Sequence, residues 1–123
     1  MFDLAHSSDS HALINEFHEA GKVVAAVCHG PAALAYVKTK DGKWLLDGRE
    51  VTGFSNSEED AVGLSSAMPF MLEDQLQTAS GGNFKKASAD WGAYVVTSGN
   101  VITGQNPASA AGVGEAILKA VQK

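Results

Sequence analysis

The sequence holds one cysteine, and a histidine follows it directly: Cys28-His29. A thiol beside an imidazole can act as a nucleophile when the ring accepts its proton. Such a pair needs a third group to orient the ring and an oxyanion site for the charge that grows on a carbonyl oxygen. The backbone N–H of His29 is the natural first oxyanion donor. Three adjacent acids, Glu58, Glu59 and Asp60, could supply the orienting carboxylate, and spacing alone does not choose among them. Acids in a first helical turn also serve as plain complements to the helix dipole, so each has an ordinary structural reading too. His6, His11 and His18 have no cysteine or acid at a zinc-ligand spacing and read as surface or helix-face residues.

These side chains need elements to hold them. Val23-Val24-Ala25-Ala26-Val27 is an unbroken apolar run, the pattern of a parallel strand buried on both faces. Cys28 stands at its end, and Gly30-Pro31-Ala32-Ala33-Leu34 turns at once into a helix reaching about Val37. Strand, sharp turn and helix with a thiol at the turn is the geometry of a nucleophile elbow. A helix N-terminus beneath the sulfur predicts a depressed thiol pKa.

Ala12 to Ala20 reads as a helix with Leu13, Ile14, Phe17 and Ala20 on one face and Gly21 as its stop. Asp47-Gly48 between Trp44-Leu45-Leu46 and Arg49-Glu50-Val51-Thr52 predicts a hairpin. Gly53 to Asn56 caps a short helix through Val62, and Met68 to Leu76 reads as a helix with Pro69 in its first turn. A short strand is expected at Phe84-Lys85-Lys86. Tyr94 to Thr97 and Val101 to Thr103 form a second hairpin around Ser98-Gly99-Asn100. Asn106 is expected to cap a last helix, Ala108 to Val121, with Pro107 in its first turn. Gly112 and Gly114 lie inside that helix, so they read as packing glycines and not as a dinucleotide fingerprint.

The element order predicts one α/β domain over residues 1–123 with a partly parallel sheet. A central strand at Val23 to Val27 requires partners on both sides, and too few strands are present to supply them. The expectation is an N-terminally incomplete domain, or one completed by another chain. A net charge of -5 without a basic run argues against nucleic acid and anionic membrane surfaces as partners. No apolar stretch reaches the length of a membrane span, and no signal peptide opens the chain. One cysteine cannot form an internal disulfide, so a reducing, cytoplasmic compartment is expected.

Ala26-Val27-Cys28-His29-Gly30-Pro31-Ala32 resembles the elbow of the ThiJ/PfpI superfamily, whose fold is like that of class I glutamine amidotransferases. Val51-Thr52-Gly53-Phe54-Ser55-Asn56-Ser57-Glu58-Glu59, Pro69-Phe70-Met71-Leu72-Glu73 and Val101 to Ser109 resemble its heat-shock-protein/glyoxalase III branch, in the expected order. The resemblance implies a flavodoxin-like α/β/α sandwich, usually a homodimer, with a Cys-His-acid triad. Carried onto this chain, the triad is Cys28, His29 and an acid best matched by Glu59, with Glu58 and Asp60 as alternatives. Met1-Phe2-Asp3-Leu4 resembles the segment after the family's Gly-Gly-His-Gly loop. That loop, with its second oxyanion donor, is absent, as are an earlier glutamate that touches the sulfur and the first strands of the sheet.

The implied activity is a glutathione-independent glyoxalase that converts methylglyoxal to lactate through a Cys28 hemithioacetal, with no metal or organic cofactor. Other readings are a stress-response chaperone or thiol redox sensor, a cysteine-dependent hydrolase or deglycase, and an inactive piece needing a partner segment.

Overall fold

The computed structural model describes residues 1–122. In chain order its elements are α1 (Ser8–Glu19), β1 (Val24–Val27), α2 (Ala32–Ala35), α3 (Asn56–Ala61), α4 (Leu72–Ala79), β2 (Val95–Ser98), β3 (Val101–Gly104) and α5 (Ala110–Val121). The sheet order is β1-β3-β2. β1 runs parallel to β3 with Val24 opposite Val101 and Val27 opposite Gly104. β2 and β3 form the expected antiparallel hairpin, closed by Gly99 at φ 61°.

Alternation along β3 assigns the two faces of the sheet. Val101 joins the main core with Val24, Leu34, Leu46, Val51, Leu72 and Leu76. Thr103, on the same face, accepts a hydrogen bond from the Thr52 N–H at 3.0 Å. Gly104 faces α5, where an added Cβ would stand 2.5 Å from Val113 Cγ2 and 2.9 Å from Val27 Cγ2. Gly104→Ala is therefore expected to destabilise the chain by about 1–3 kcal/mol through overpacking. Urea denaturation checks this, and an unchanged midpoint contradicts it.

Several expectations need correction. β1 is not among these: as expected from the shortage of strands, it has one neighbour among the described residues, and β3, buried along its whole length, lies between β1 and β2. An apolar groove of about 670 Å³ runs beside Val23 and Ala25 at that edge, between Phe17 of α1 and Ile117 of α5. The apolar run thus exceeds the cover that the described residues give it. α1 begins at Ser8, where the Ser7 side chain accepts from the Ser10 N–H, and its Leu13 and Phe17 are exposed.

The Asp47-Gly48 hairpin does not form. Leu45 and Leu46 are both buried, which a ribbon of period two does not allow. Trp44 instead pairs with Lys38, and Val51 pairs in parallel with Phe84, the one bridge found where a strand was expected at Phe84 to Lys86. Pro69 does not start a helix. It holds Met68 extended at ψ 139°, as proline does to its predecessor, and α4 starts at Leu72. Pro107 opens a 3-10 turn at Pro107–Ser109, α5 starts at Ala110, and the Asn106 side chain makes no cap. Gly112 does permit close packing, since a Cβ there would meet Val95 Cγ2 at 3.0 Å, whereas Gly114 faces open space.

Candidate active site

β1 delivers the chain to Cys28, whose φ of 65° is in the left-handed region. A residue with a Cβ reaches that region only when its surroundings hold it there. Here the Cys28 N–H donates to the Gly104 carbonyl at 3.0 Å, and its own carbonyl accepts from the Phe54 N–H at 2.9 Å. The turn then folds back, with the Gly30 N–H bonded to the Val27 carbonyl at 2.9 Å. A Cβ at Gly30 would sit 2.9 Å from that same carbonyl oxygen, so the elbow requires glycine.

The half-buried Cys28 Sγ lies 3.7 Å from His29 Nδ1. On the far side of the ring, His29 Nε2 lies 2.6 Å from Glu59 Oε2. A carboxylate only accepts, so it fixes the hydrogen on Nε2 and leaves the Nδ1 lone pair toward the sulfur. Glu59 is buried, and its Oε1 has no hydrogen-bond partner among the described residues. The His29 ring packs on Phe54 at 4.4 Å between centroids, and Phe54 packs edge-on against Trp91 at 5.6 Å.

Of the three candidate acids, the fold brings Glu59 to the imidazole. Glu58 is fully buried but turned to other partners, and Asp60 accepts from the Ser65 hydroxyl at the surface. The other histidines lie elsewhere. His11 meets the Ala5 carbonyl, His18 meets Asn100, and His6 packs on Tyr36. Among the described residues no cluster of three histidine, cysteine or acidic side chains could hold a metal ion. A cavity of about 360 Å³ adjoins His29 and Gly30, walled on its other side by the Met1 to Leu4 segment.

The thiol state differs from expectation. Burial pushes the Cys28 thiol up, the His29 backbone N–H works against that, and the charges of Glu58 and Glu59 push the same way as burial. The helix behind the elbow, α2, has only four residues, too little aligned dipole to reverse this. Burial and both carboxylates thus favour the thiol over the thiolate at Cys28. Iodoacetamide alkylation of Cys28 is expected to rise with pH through a midpoint above that of a free thiol measured beside it. A midpoint below the free thiol's contradicts this.

Sequence reasoning missed the residues around Glu58. Gln105, Asn106 and Trp91 all bond to its carboxylate. The available signal was Ser55 three positions before Glu58, a capping-box spacing that the structure forms in full. Nothing local pointed to Trp91, which stands at φ 66°.

The model of the DJ-1/PfpI family matches residues 3–120. The chain belongs to the DJ-1/PfpI family. Within it, this DJ-1/PfpI chain is 36% identical to a probable glutathione-independent glyoxalase, hsp3103, of Schizosaccharomyces pombe, over 97% of its own length and 48% of that protein's. It is 30% identical to glyoxalase 3 of Candida albicans, covering 99% of itself and 53% of the relative. Among solved structures, the Rapid Encystment Protein 24 KDa of Francisella tularensis superposes with a TM-score of 0.94 at 38% identity, covering 99% of this chain and 53% of that one. The chain thus spans about half the length of the curated relatives it matches. The expected α/β class, flavodoxin-like with a partly parallel sheet, holds over the part present.

Proposed function

We propose that the chain carries the nucleophile and the proton carrier of a glutathione-independent glyoxalase, converting methylglyoxal and water to lactate. The observation that carries this reading is the line from Cys28 Sγ through both nitrogens of His29 to Glu59, at 3.7 Å and 2.6 Å. The relatives named as glyoxalases support the substrate class, a small α-oxoaldehyde.

The chemistry balances without an oxidant. As Sγ attacks the aldehyde carbon, His29 Nδ1 takes the thiol proton, and Glu59 steadies the imidazolium. The new S–C bond forms while the C=O π pair moves to oxygen, which is protonated to give a hemithioacetal. Removal of the proton on that carbon and its delivery to the neighbouring carbon, through an enediol, convert the adduct to a lactoyl thioester. Water then attacks the thioester carbonyl, the C–S bond breaks, and lactate leaves with the thiol restored. The imidazole, with Nδ1 3.7 Å from Sγ, is the proton carrier in this reading.

The same reading takes the chain as part of one cytoplasmic domain that works as a homo-oligomer. No described helix is long and apolar enough to cross a membrane. The test is proton NMR of methylglyoxal incubated with the chain in the absence of glutathione. Lactate is expected to appear in proportion to protein, and no lactate above the buffer rate contradicts the proposal.

A further inference from the structure

Glu58 is fully buried, and no Lys, Arg or His pairs with it among the described residues. Its carboxylate instead collects five neutral donors. Oε1 accepts from the Ser55 N–H at 3.1 Å, the Ser55 hydroxyl at 2.9 Å and Gln105 Nε2 at 3.0 Å. Oε2 accepts from the Trp91 N–H at 2.8 Å and Asn106 Nδ2 at 2.8 Å. Only an ionised carboxylate offers enough lone pairs, with no competing donor, to satisfy all of them.

These donors come from three separate stretches, each of which touches the candidate site. Ser55 starts α3, the helix that carries Glu59. Gln105 and Asn106 follow Gly104, whose carbonyl holds the Cys28 N–H. Trp91 lays its ring against Phe54, and Phe54 lies against the His29 ring. Successive residues of a helix point about 100° apart, so Glu58 and Glu59 face different partners. α3 has six residues, too few to hold its own shape or rotation in water. The anchoring of one acid therefore aims the other.

We propose that Glu58 is a positioning residue of the Cys28 site: by clasping three loops around one carboxylate it sets the direction of Glu59 and the face of His29. Burial opposes its charge, but the hydrogen bonds from Asn106, Gln105, Trp91 and Ser55 outweigh burial and hold the carboxyl below its ordinary range. That charge also acts on Cys28, whose thiol it helps to push up, alongside Glu59.

The inference deepens the glyoxalase reading and rests on it for its kinetic arm, while a second arm needs no turnover. Glu58→Gln keeps the shape but turns an acceptor oxygen into a competing N–H donor. In the folded variant, kcat for methylglyoxal is expected to fall about a hundredfold, with KM little changed, as for a small misplacement of reacting groups. The alkylation profile of Cys28 is expected to move to lower pH, because one negative charge is gone while His29 and Glu59 remain. Glu58→Asp keeps the charge, so it should leave that profile in place and recover part of kcat.

Should Glu58→Gln fail to fold, Gln105→Met removes one side-chain donor from Glu58 Oε1 and keeps a side chain of similar length. Its expected cost is about tenfold in kcat. A folded Glu58→Gln with wild-type kcat overturns the inference, as does a lower kcat with an unmoved alkylation profile, or Gln105→Met at wild-type kcat. If the wild-type chain makes no lactate, the functional reading fails, and the alkylation profile still decides whether Glu58 acts on the thiol.

Discussion

Cys28→Ala is expected to abolish the proposed lactate formation, with a loss of about ten-thousandfold or more in kcat, the scale seen when a covalent nucleophile is deleted. No other thiol is present to substitute, since Cys28 is the only cysteine in the chain. The loss is chemical and not structural. Alanine deletes one half-buried atom and keeps a Cβ at the same left-handed position. The N–H bond to Gly104 and the carbonyl bond from Phe54 belong to the backbone and survive. The melting temperature should stay near wild type while the lactate signal disappears. Lactate at the wild-type rate from the alanine variant rules out a sulfur adduct.

Glu59→Gln is expected to lower kcat/KM by about a hundred- to ten-thousandfold, the range for losing the carboxylate behind a catalytic histidine. In the proposed mechanism the 2.6 Å contact to His29 Nε2 has two tasks. It keeps the ring in the tautomer whose free Nδ1 faces the sulfur, and it stabilises the imidazolium formed as the thiol proton arrives. Glutamine matches the shape, carries no charge, and can present an N–H that forces the opposite tautomer. Its effect on stability should be small, because Glu59 Oε1 already lacks a hydrogen-bond partner among the described residues. Steady-state kinetics with a thermal melt alongside measures both, and a wild-type kcat/KM contradicts the assignment of Glu59.

The elbow was legible because its signals are local. A run of Val and Ala specifies a strand, and small residues with a proline after Cys28 specify the turn into a helix. The φ of 65° at Cys28 and the clash that a Cβ would meet at Gly30 show what those small residues are for. The choice among Glu58, Glu59 and Asp60 was not local. It depends on the rotation of a six-residue helix, which contacts from distant loops decide. Glu58 passed for a dipole complement because its partners Trp91, Gln105 and Asn106 lie more than thirty positions away.

The Asp47-Gly48 signal was a turn correctly sensed, with Gly48 at φ 73°, but burial of both Leu45 and Leu46 replaced the ladder expected on either side. Asn106, placed well for a cap, is used by the fold for a tertiary contact instead: it reaches Glu58 and the Gly92 carbonyl. The thiol state was misjudged for a related reason. Helix polarity can be read from sequence, whereas burial of the sulfur and the charges of Glu58 and Glu59 acting on it cannot.

The central claim is a bond between Cys28 Sγ and the aldehyde carbon of the substrate. Acid quenching of the chain during turnover of methylglyoxal, followed by peptide mass mapping, observes that bond directly. The account predicts that the peptide containing Cys28 carries the mass of one methylglyoxal while substrate remains and loses it when substrate is spent. Lactate accumulating while that peptide stays unmodified in every quench would contradict it.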